Sequence, residues 1–361
     1  MQRAITLFFS LTFSVCISQS NTNWTIDWSY LRGNIALHNN DILHLIQGHP
    51  EGMILSWNKT THGEKQWHQQ YNYPDYGISF SYQNLKNDVL GNNYAIYGHY
   101  NFYWLNRRLM FRIGQGLGVT TNSYDKVENP TNIAFGSTVM SSTFAMLNFK
   151  QENLIDKFGL QAGISFIHYS NANVKAPNTS VNTLSFNLGI NYKLDEETTY
   201  VYTVAEERFT QPIKFNIVFR SGINESDVVG SGQYPFYVFS AYADKRLSYK
   251  SAIQFGADAF FSKFLEELIY FQSVAFPEFN VDPETDYKRV GVFAGHELFI
   301  NKLSVVTQLG YYVYYPFDFE GRFYQRIGVK YYIGEKWFGA LTLKTHAAKA
   351  EALEMGIGIR L

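Results

Sequence analysis

The stretch "FGLQAGISFIHYS" (158–170) decides how the chain is read. Phe158, Leu160, Ala162, Ile164 and Phe166 share one face, and His168 and Ser170 continue that face. A period of two marks a β-strand, because successive side chains point to opposite sides. The same alternation recurs elsewhere. "RLMFRIGQGLGVT" (108–120) sets Leu109, Phe111, Ile113, Leu117 and Val119 against Arg108, Arg112, Gly114, Gly116 and Gly118. The C-terminal "LEMGIGIRL" sets Leu353, Met355, Ile357, Ile359 and Leu361 against Glu354, Gly356, Gly358 and Arg360. Similar faces run through 184–194, 303–315 and 323–333. An apolar face opposite a polar or glycine face is the pattern of a transmembrane barrel. A soluble sandwich shares the alternation, but more often has shorter strands and turns rich in Pro and Gly.

Connection lengths sharpen the choice. Tight turns fall near 105–108, 247–250, 300–303 and 333–336. Longer polar loops fall near 85–93, 121–133, 171–182, 224–232, 263–287 and 316–322, with a helix expected in "KFLEELIYF" (263–271). Short periplasmic turns alternating with long external loops belong to outer-membrane barrels. The stretch 195–212 breaks the pattern, being long where a short turn is expected. The expected fold is an all-β antiparallel transmembrane barrel of about fourteen strands, within a range of twelve to sixteen. Residues 19–361 form one barrel in this reading, with 19–74 left open as an N-terminal strand pair or a periplasmic plug.

Bulk composition agrees. The chain holds 361 residues with 27 Tyr and 30 Phe, and 17% of residues are charged. An ordinary soluble domain carries about 25% charged residues. A net charge of −1 gives no electrostatic case for nucleic acid. "MQRAITLFFSLTFSVCISQS" has one basic residue, Arg3, before an apolar run, which is the layout of a signal peptide over 1–18 with cleavage after Ser18. Cys16, the single cysteine, lies inside it, so the mature chain is expected to hold no disulfide or thiolate metal site. No later window offers about 18 consecutive apolar residues, so a membrane would be crossed by strands.

The lipid-facing stripe ending in His168 and Ser170 carries the chemistry. Asn182 has the parity of Leu184, on the apolar face of the next strand, so all three can share the outside of the barrel near its external rim. Polar groups facing lipid are costly and mark function. A serine becomes a nucleophile when a histidine takes its proton and a third group holds the imidazole tautomer. The i, i+2 spacing places His and Ser side by side, though His-x-Ser alone is a common coincidence.

The longer segment "HYSNANVKAPN" (168–178) resembles the His-x-Ser-Asn-Ala…Pro-Asn signature of the PagL family, outer-membrane lipid A 3-O-deacylases. Barrels of that family have eight strands, so the chain reads as an enlarged relative, nearer to the longer acyloxyacyl-hydrolase-type members. The resemblance implies Ser170 as nucleophile and His168 as general base. It implies an oxyanion hole from backbone N–H groups around Asn171 and Asn173, with Asn178 bracing the loop. Two positions depart from the family pattern: Ser180 replaces an expected glycine and Asn182 an expected glutamate. An amide can orient an imidazole but offers it no full charge. The implied substrate is lipid A, or lipopolysaccharide, losing an ester-linked hydroxyacyl chain in the outer membrane. Lys175 is a candidate for a lipid A phosphate, against the plainer reading of a solvated lysine. The chemistry needs no cofactor, no metal site is expected, and self-association is left open.

Other features read more plainly. His44, His49, His62 and His68 show no metal-binding spacing, and Asp195, Glu196 and Glu197 lie at the far end of the next strand, too distant to substitute easily for Asn182. "GQGLG" (114–118) reads as close packing inside the barrel, since its glycines alternate on one strand face. His346 reads as part of a late external turn. Two alternatives stand beside the esterase: a porin-like channel with Arg112, Arg326 and Arg360 in the lumen, and a non-catalytic lipid-binding relative.

Overall fold

A computed structural model describes residues 23–194, 199–202, 209–347 and 349–361. The expected leader over 1–18, with Cys16 and the cleavage point, lies outside the described residues, as do Asp195, Glu196 and Glu197. The first strands are β1 (Trp24–Ile35), β2 (Glu51–Thr60), β3 (Asp75–Asn84) and β4 (Asn92–Trp104). They continue with β5 (Leu109–Thr120), β6 (Val139–Ile155), β7 (Phe158–Ser170) and β8 (Val181–Lys193). Each pairs antiparallel with the next, and β8 returns to β1, with Ile190 opposite Trp28. A second set follows: β9 (Lys214–Asn224), β10 (Tyr234–Arg246), β11 (Ser251–Ser262) and β12 (Arg289–Ile300). It ends with β13 (Leu303–Tyr314), β14 (Phe323–Ile333), β15 (Trp337–His346) and β16 (Lys349–Arg360), which pairs back to β9. Helix α1 (Gln66–Gln70) lies between β2 and β3, and α2 (Lys263–Ala275) between β11 and β12.

The chain is therefore an all-β antiparallel barrel protein, as the alternation implies. The described residues hold sixteen strands in two closed barrels of eight, where a single closure of about fourteen is the sequence expectation. Strands β1 and β2 come from within 19–74. The physical reason for the difference is that alternation sets which way each side chain points but not where a sheet closes on itself. The long connection 195–212 marks the place, since β8 pairs with β1 and the chain crosses to a new sheet. No helix among the described residues is long and apolar enough to cross a membrane.

Eight strands enclose a space that side chains fill. In the first barrel Arg112 is fully buried and its guanidinium donates to both oxygens of Asp27, at 2.9 and 2.7 Å. Asn101 and Asn58 accept from the same guanidinium at 2.6 and 3.0 Å. In the second barrel Arg326 donates to Asp258 at 2.8 Å and Glu354 at 2.6 Å, and Lys330 donates to Glu297 at 2.9 Å. Arg360 lies at the end of β16 and donates to Asp244 at 2.6 Å. Arg112 and Arg326 thus plug their lumens instead of lining a bore. The glycines of 114–118 serve this packing. A Cβ on Gly114 would stand 2.2 Å from the Phe144 ring.

The long-loop end of the first barrel is capped by its own loops. Ile42 and Leu45, Leu85 and Leu90, and Ala134 and Phe135 come from three different loops and join one buried cluster with Tyr97, Phe144 and Tyr169. Burying such side chains stabilises by about 1.5–3 kcal/mol each, so these loops are built into the core. The two barrels stand the same way up and meet at both ends. At the end holding the tight turns, Tyr71 Oη donates to the Phe299 carbonyl at 2.7 Å. At the loop end, residues 225–233 touch the loop after β7.

Candidate functional site

Strand parity places the site on the outside of the first barrel. Along β7, Leu160, Ile164 and Phe166 are exposed while Gln161, Ser165 and Tyr169 are buried in the lumen, and His168 keeps the outward parity. Along β8, Leu184, Phe186 and Leu188 point out, and Asn182 shares their side. The register sets His168 directly opposite Asn182. Their side chains meet, with His168 Nδ1 2.6 Å from Asn182 Oδ1. Because an amide oxygen only accepts, that contact puts the imidazole proton on Nδ1 and leaves Nε2 as the basic nitrogen.

Ser170 ends β7 and is 6% exposed. Its Oγ accepts from the Ala172 N–H at 3.0 Å and from Asn178 Nδ2 at 3.0 Å. The Asn178 amide is oriented by its oxygen, which accepts from the Asn171 N–H at 2.9 Å. Among the described residues no hydrogen bond joins Ser170 to His168. The hydroxyl is engaged by its own loop instead, through Ala172 and Asn178.

The loop between β7 and β8 is tightly determined. Ala172 and Asn173 both have positive φ, 56° and 63°, a conformation that side chains disfavour and that clusters at functional sites. Asn171 Nδ2 donates to the Lys175 carbonyl at 2.7 Å. With the Asn171 N–H committed to Asn178, the Asn173 N–H is the one of the two expected donors that meets no acceptor among the described residues. Lys175 is exposed at the loop tip. Beneath the loop, Thr179 and Ser180 donate backbone N–H groups to the carbonyls of Ile133 and Ala134, at 3.1 and 3.2 Å.

Gly136 touches the same loop. A Cβ there would lie 2.5 Å from the carbonyl oxygens of both Lys175 and Pro177. Gly136→Val is therefore expected to push 175–177 aside and lower turnover by about tenfold to a hundredfold, with the barrel still folded. Steady-state rates beside a heat-modifiability gel measure this.

Sequence reasoning does not single out several neighbours. Gln115 and Thr143 are hydrogen-bonded at 2.5 Å, and Gln115 Nε2 donates to Ser141 at 2.8 Å. Thr143 lies directly opposite His168, and Ser141 opposite Ser170. A polar row thus crosses the outer side of β5 to β8, and the interruption of apolar parity at Gln115, Ser141 and Thr143 is the signal that could have found it. His38 Nε2 lies 2.8 Å from the Thr179 carbonyl and 3.2 Å from Ser180 Oγ, a contact spanning 142 positions that no local pattern announces.

The remaining histidines are scattered. His44 meets the Thr131 carbonyl, His49 the Asn34 side chain and His62 Glu64, while His68 is buried in α1. No group of three His, Cys, Asp or Glu side chains is gathered for a metal among the described residues. His346 is not in a surface turn. It is buried in the second barrel, its Nε2 2.6 Å from Glu351, because it shares the inward parity of Lys344.

Two closed antiparallel barrels, the first with His168 and Asn182 paired on its outward parity and Ser170 buried at the end of the same strand, define the class of protein. Residues 51–191 match the family described as lipid A 3-O-deacylase (PagL), and residues 213–361 match the acyloxyacyl hydrolase C-terminal domain. The two matches span both barrels, and the chain belongs to the PagL family of lipid A deacylases. Lipid A deacylation is thereby its activity at the level of the family. None of the curated proteins matches the chain. Among solved structures, the E1M, A104W mutant of Rh. blastica porin is 9% identical with a TM-score of 0.17, over 94% of this chain and 99% of that one. CdiB from Acinetobacter baumannii is 11% identical with a TM-score of 0.19, over 95% of this chain and 60% of that one. Likenesses so slight bear on neither fold nor function.

Proposed function

We propose that the chain is an outer-membrane serine esterase that removes an ester-linked 3-hydroxyacyl chain from lipid A, using Ser170, His168 and Asn182. The observation that carries this reading is the His168–Asn182 contact on the lipid-facing side, two residues from Ser170. A water-soluble ester would have no reason to arrive through the bilayer, whereas an acylated glycolipid of the outer leaflet slides in laterally. Residues 1–18 act as the export signal in this scheme. Nothing in the site needs a second copy of the chain.

In the reaction, Ser170 Oγ turns toward His168 and loses its proton to Nε2 while attacking the acyl carbonyl carbon. The developing oxyanion takes hydrogen bonds from backbone N–H groups at Asn173 and Ala172, the latter released as the hydroxyl leaves it. The imidazolium, its Nδ1–H held by Asn182, returns the proton to the sugar oxygen, and the ester C–O bond breaks. Water then attacks the acyl-serine with His168 again as base, giving a free 3-hydroxy fatty acid and restoring Ser170. Protonated His168 cannot accept a proton, so the rate falls on acidification.

Expressing the protein in a bacterial outer membrane and weighing lipid A by mass spectrometry tests the proposal. Loss of one hydroxyacyl chain is expected, and unchanged lipid A would refute it. Asn182 offers a finer test. Asn182→Leu removes the tautomer control and is expected to cost about a hundredfold or more in kcat. Asn182→Glu adds the missing negative charge and is expected to raise kcat.

A further inference from the structure

The residues that attack and deprotonate all lie in the first barrel, yet the loop beside them is held from the second. Residues 225–233, between β9 and β10, reach the 173–176 segment through four hydrogen bonds. The Ala176 N–H donates to Glu225 Oε2 at 2.9 Å, and the Glu225 N–H donates to the Asn173 carbonyl at 3.0 Å. Asn173 Nδ2 donates to Asp227 at 3.2 Å, and Gln233 Nε2 donates to the Val174 carbonyl at 2.7 Å.

Glu225 is the centre of this contact. It is 4% exposed, and among the described residues its carboxylate meets no lysine, arginine or histidine within ion-pair distance. Its second oxygen, Oε1, accepts from the N–H groups of Gly230 and Gly232, each at 3.1 Å. A buried carboxylate without a cation is costly unless backbone N–H groups satisfy it. Here two donors come from its own loop and the third from the active-site loop of the other barrel. The carboxylate is thus a fixed strut between two backbones.

We infer that the second barrel is a positioning module for the site on the first, with Glu225 as the positioning residue that holds 173–176 so that the Asn173 N–H faces the developing oxyanion. The inference rests on the esterase reading above. Asn173 is held from the second barrel by its carbonyl and its side chain, and its φ of 63° sets the N–H relative to both. Gly136 meets the neighbouring 175–177 backbone from within the first barrel, so the loop is clamped between both.

The test uses the full chain in detergent micelles or vesicles with purified lipid A. A second assay follows labelling of Ser170 by a lipophilic fluorophosphonate, located by peptide mass spectrometry. Glu225→Ala is expected to lower kcat at least about tenfold, with KM within about twofold and slower labelling of Ser170 by a similar factor. Heat-modifiability should match wild type, because Glu225 lies outside the strands. If Glu225→Ala fails to fold, Gln233→Leu removes a separate cross-barrel bond and is expected to lower kcat several-fold with KM unchanged. A folded variant of either kind that turns over and labels like wild type overturns the inference. Wild type that neither hydrolyses lipid A nor labels at Ser170 would instead overturn the esterase reading.

Discussion

Ser170→Ala is expected to reduce deacylation of lipid A by at least about a thousandfold, leaving both barrels folded. The hydroxyl is the only group in the outward-facing row that His168 can activate on its own strand. Its loss removes covalent catalysis and leaves only what binding and the oxyanion donors provide. The fold should survive, because Oγ contributes only its contacts with Ala172, at 3.0 Å, and the Asn178 amide. The loop keeps the Asn171 N–H to Asn178 bond at 2.9 Å and its backbone bonds to Ile133 and Ala134. His168→Ala should cost nearly as much, and the double variant little more than either single, since the two residues act as one unit. Mass spectrometry of lipid A from cells expressing each variant is the measurement. Wild-type amounts of shortened lipid A from Ser170→Ala would remove Ser170 from the mechanism.

Arg112→Met is expected to destabilise the first barrel by about 3–5 kcal/mol. Asp27 is 1% exposed, and after the change its carboxylate would keep only Asn58, at 2.8 Å, and Gln161, at 3.2 Å. An uncompensated buried charge is far more costly than the ion pair was favourable. Adding Asp27→Asn should therefore restore most of the loss, because both charges leave together. Urea titration of the protein in micelles, followed by tryptophan fluorescence, reads the difference. A single variant as stable as wild type would mean that water reaches Asp27, and the filled lumen would be wrong.

Parity explains why so much of the site is legible in the residues. Direction along a strand is a local property with a period of two, so the outward parity of His168 and Asn182 follows from the runs that contain Phe158 and Leu184. Direct pairing of β7 with β8 across the loop 171–180 then makes His168 and Asn182 partners in one hairpin. His346 obeys the same rule, and reading it from the parity of Lys344 would have sent it inward to Glu351. The loop contacts do not follow from any local rule. Gly136, His38 and Glu225 reach 168–180 from loops far away in the chain, and neither hydropathy nor spacing encodes which loop will lie on which.

Alternating side chains, an apolar outer surface, the polar interruption near the end of β7 and the "HYSNANVKAPN" motif are all written in the order of residues, because each depends on neighbours a few positions apart. Closure is different. Whether β8 pairs with β1 or runs on into a wider sheet depends on shear, lumen packing and ion pairs such as Arg112 with Asp27, which join residues 85 positions apart. That long-range balance yields two filled barrels of eight strands instead of one open cylinder. It also brings Glu225 of the second barrel against the loop that carries Ser170 in the first.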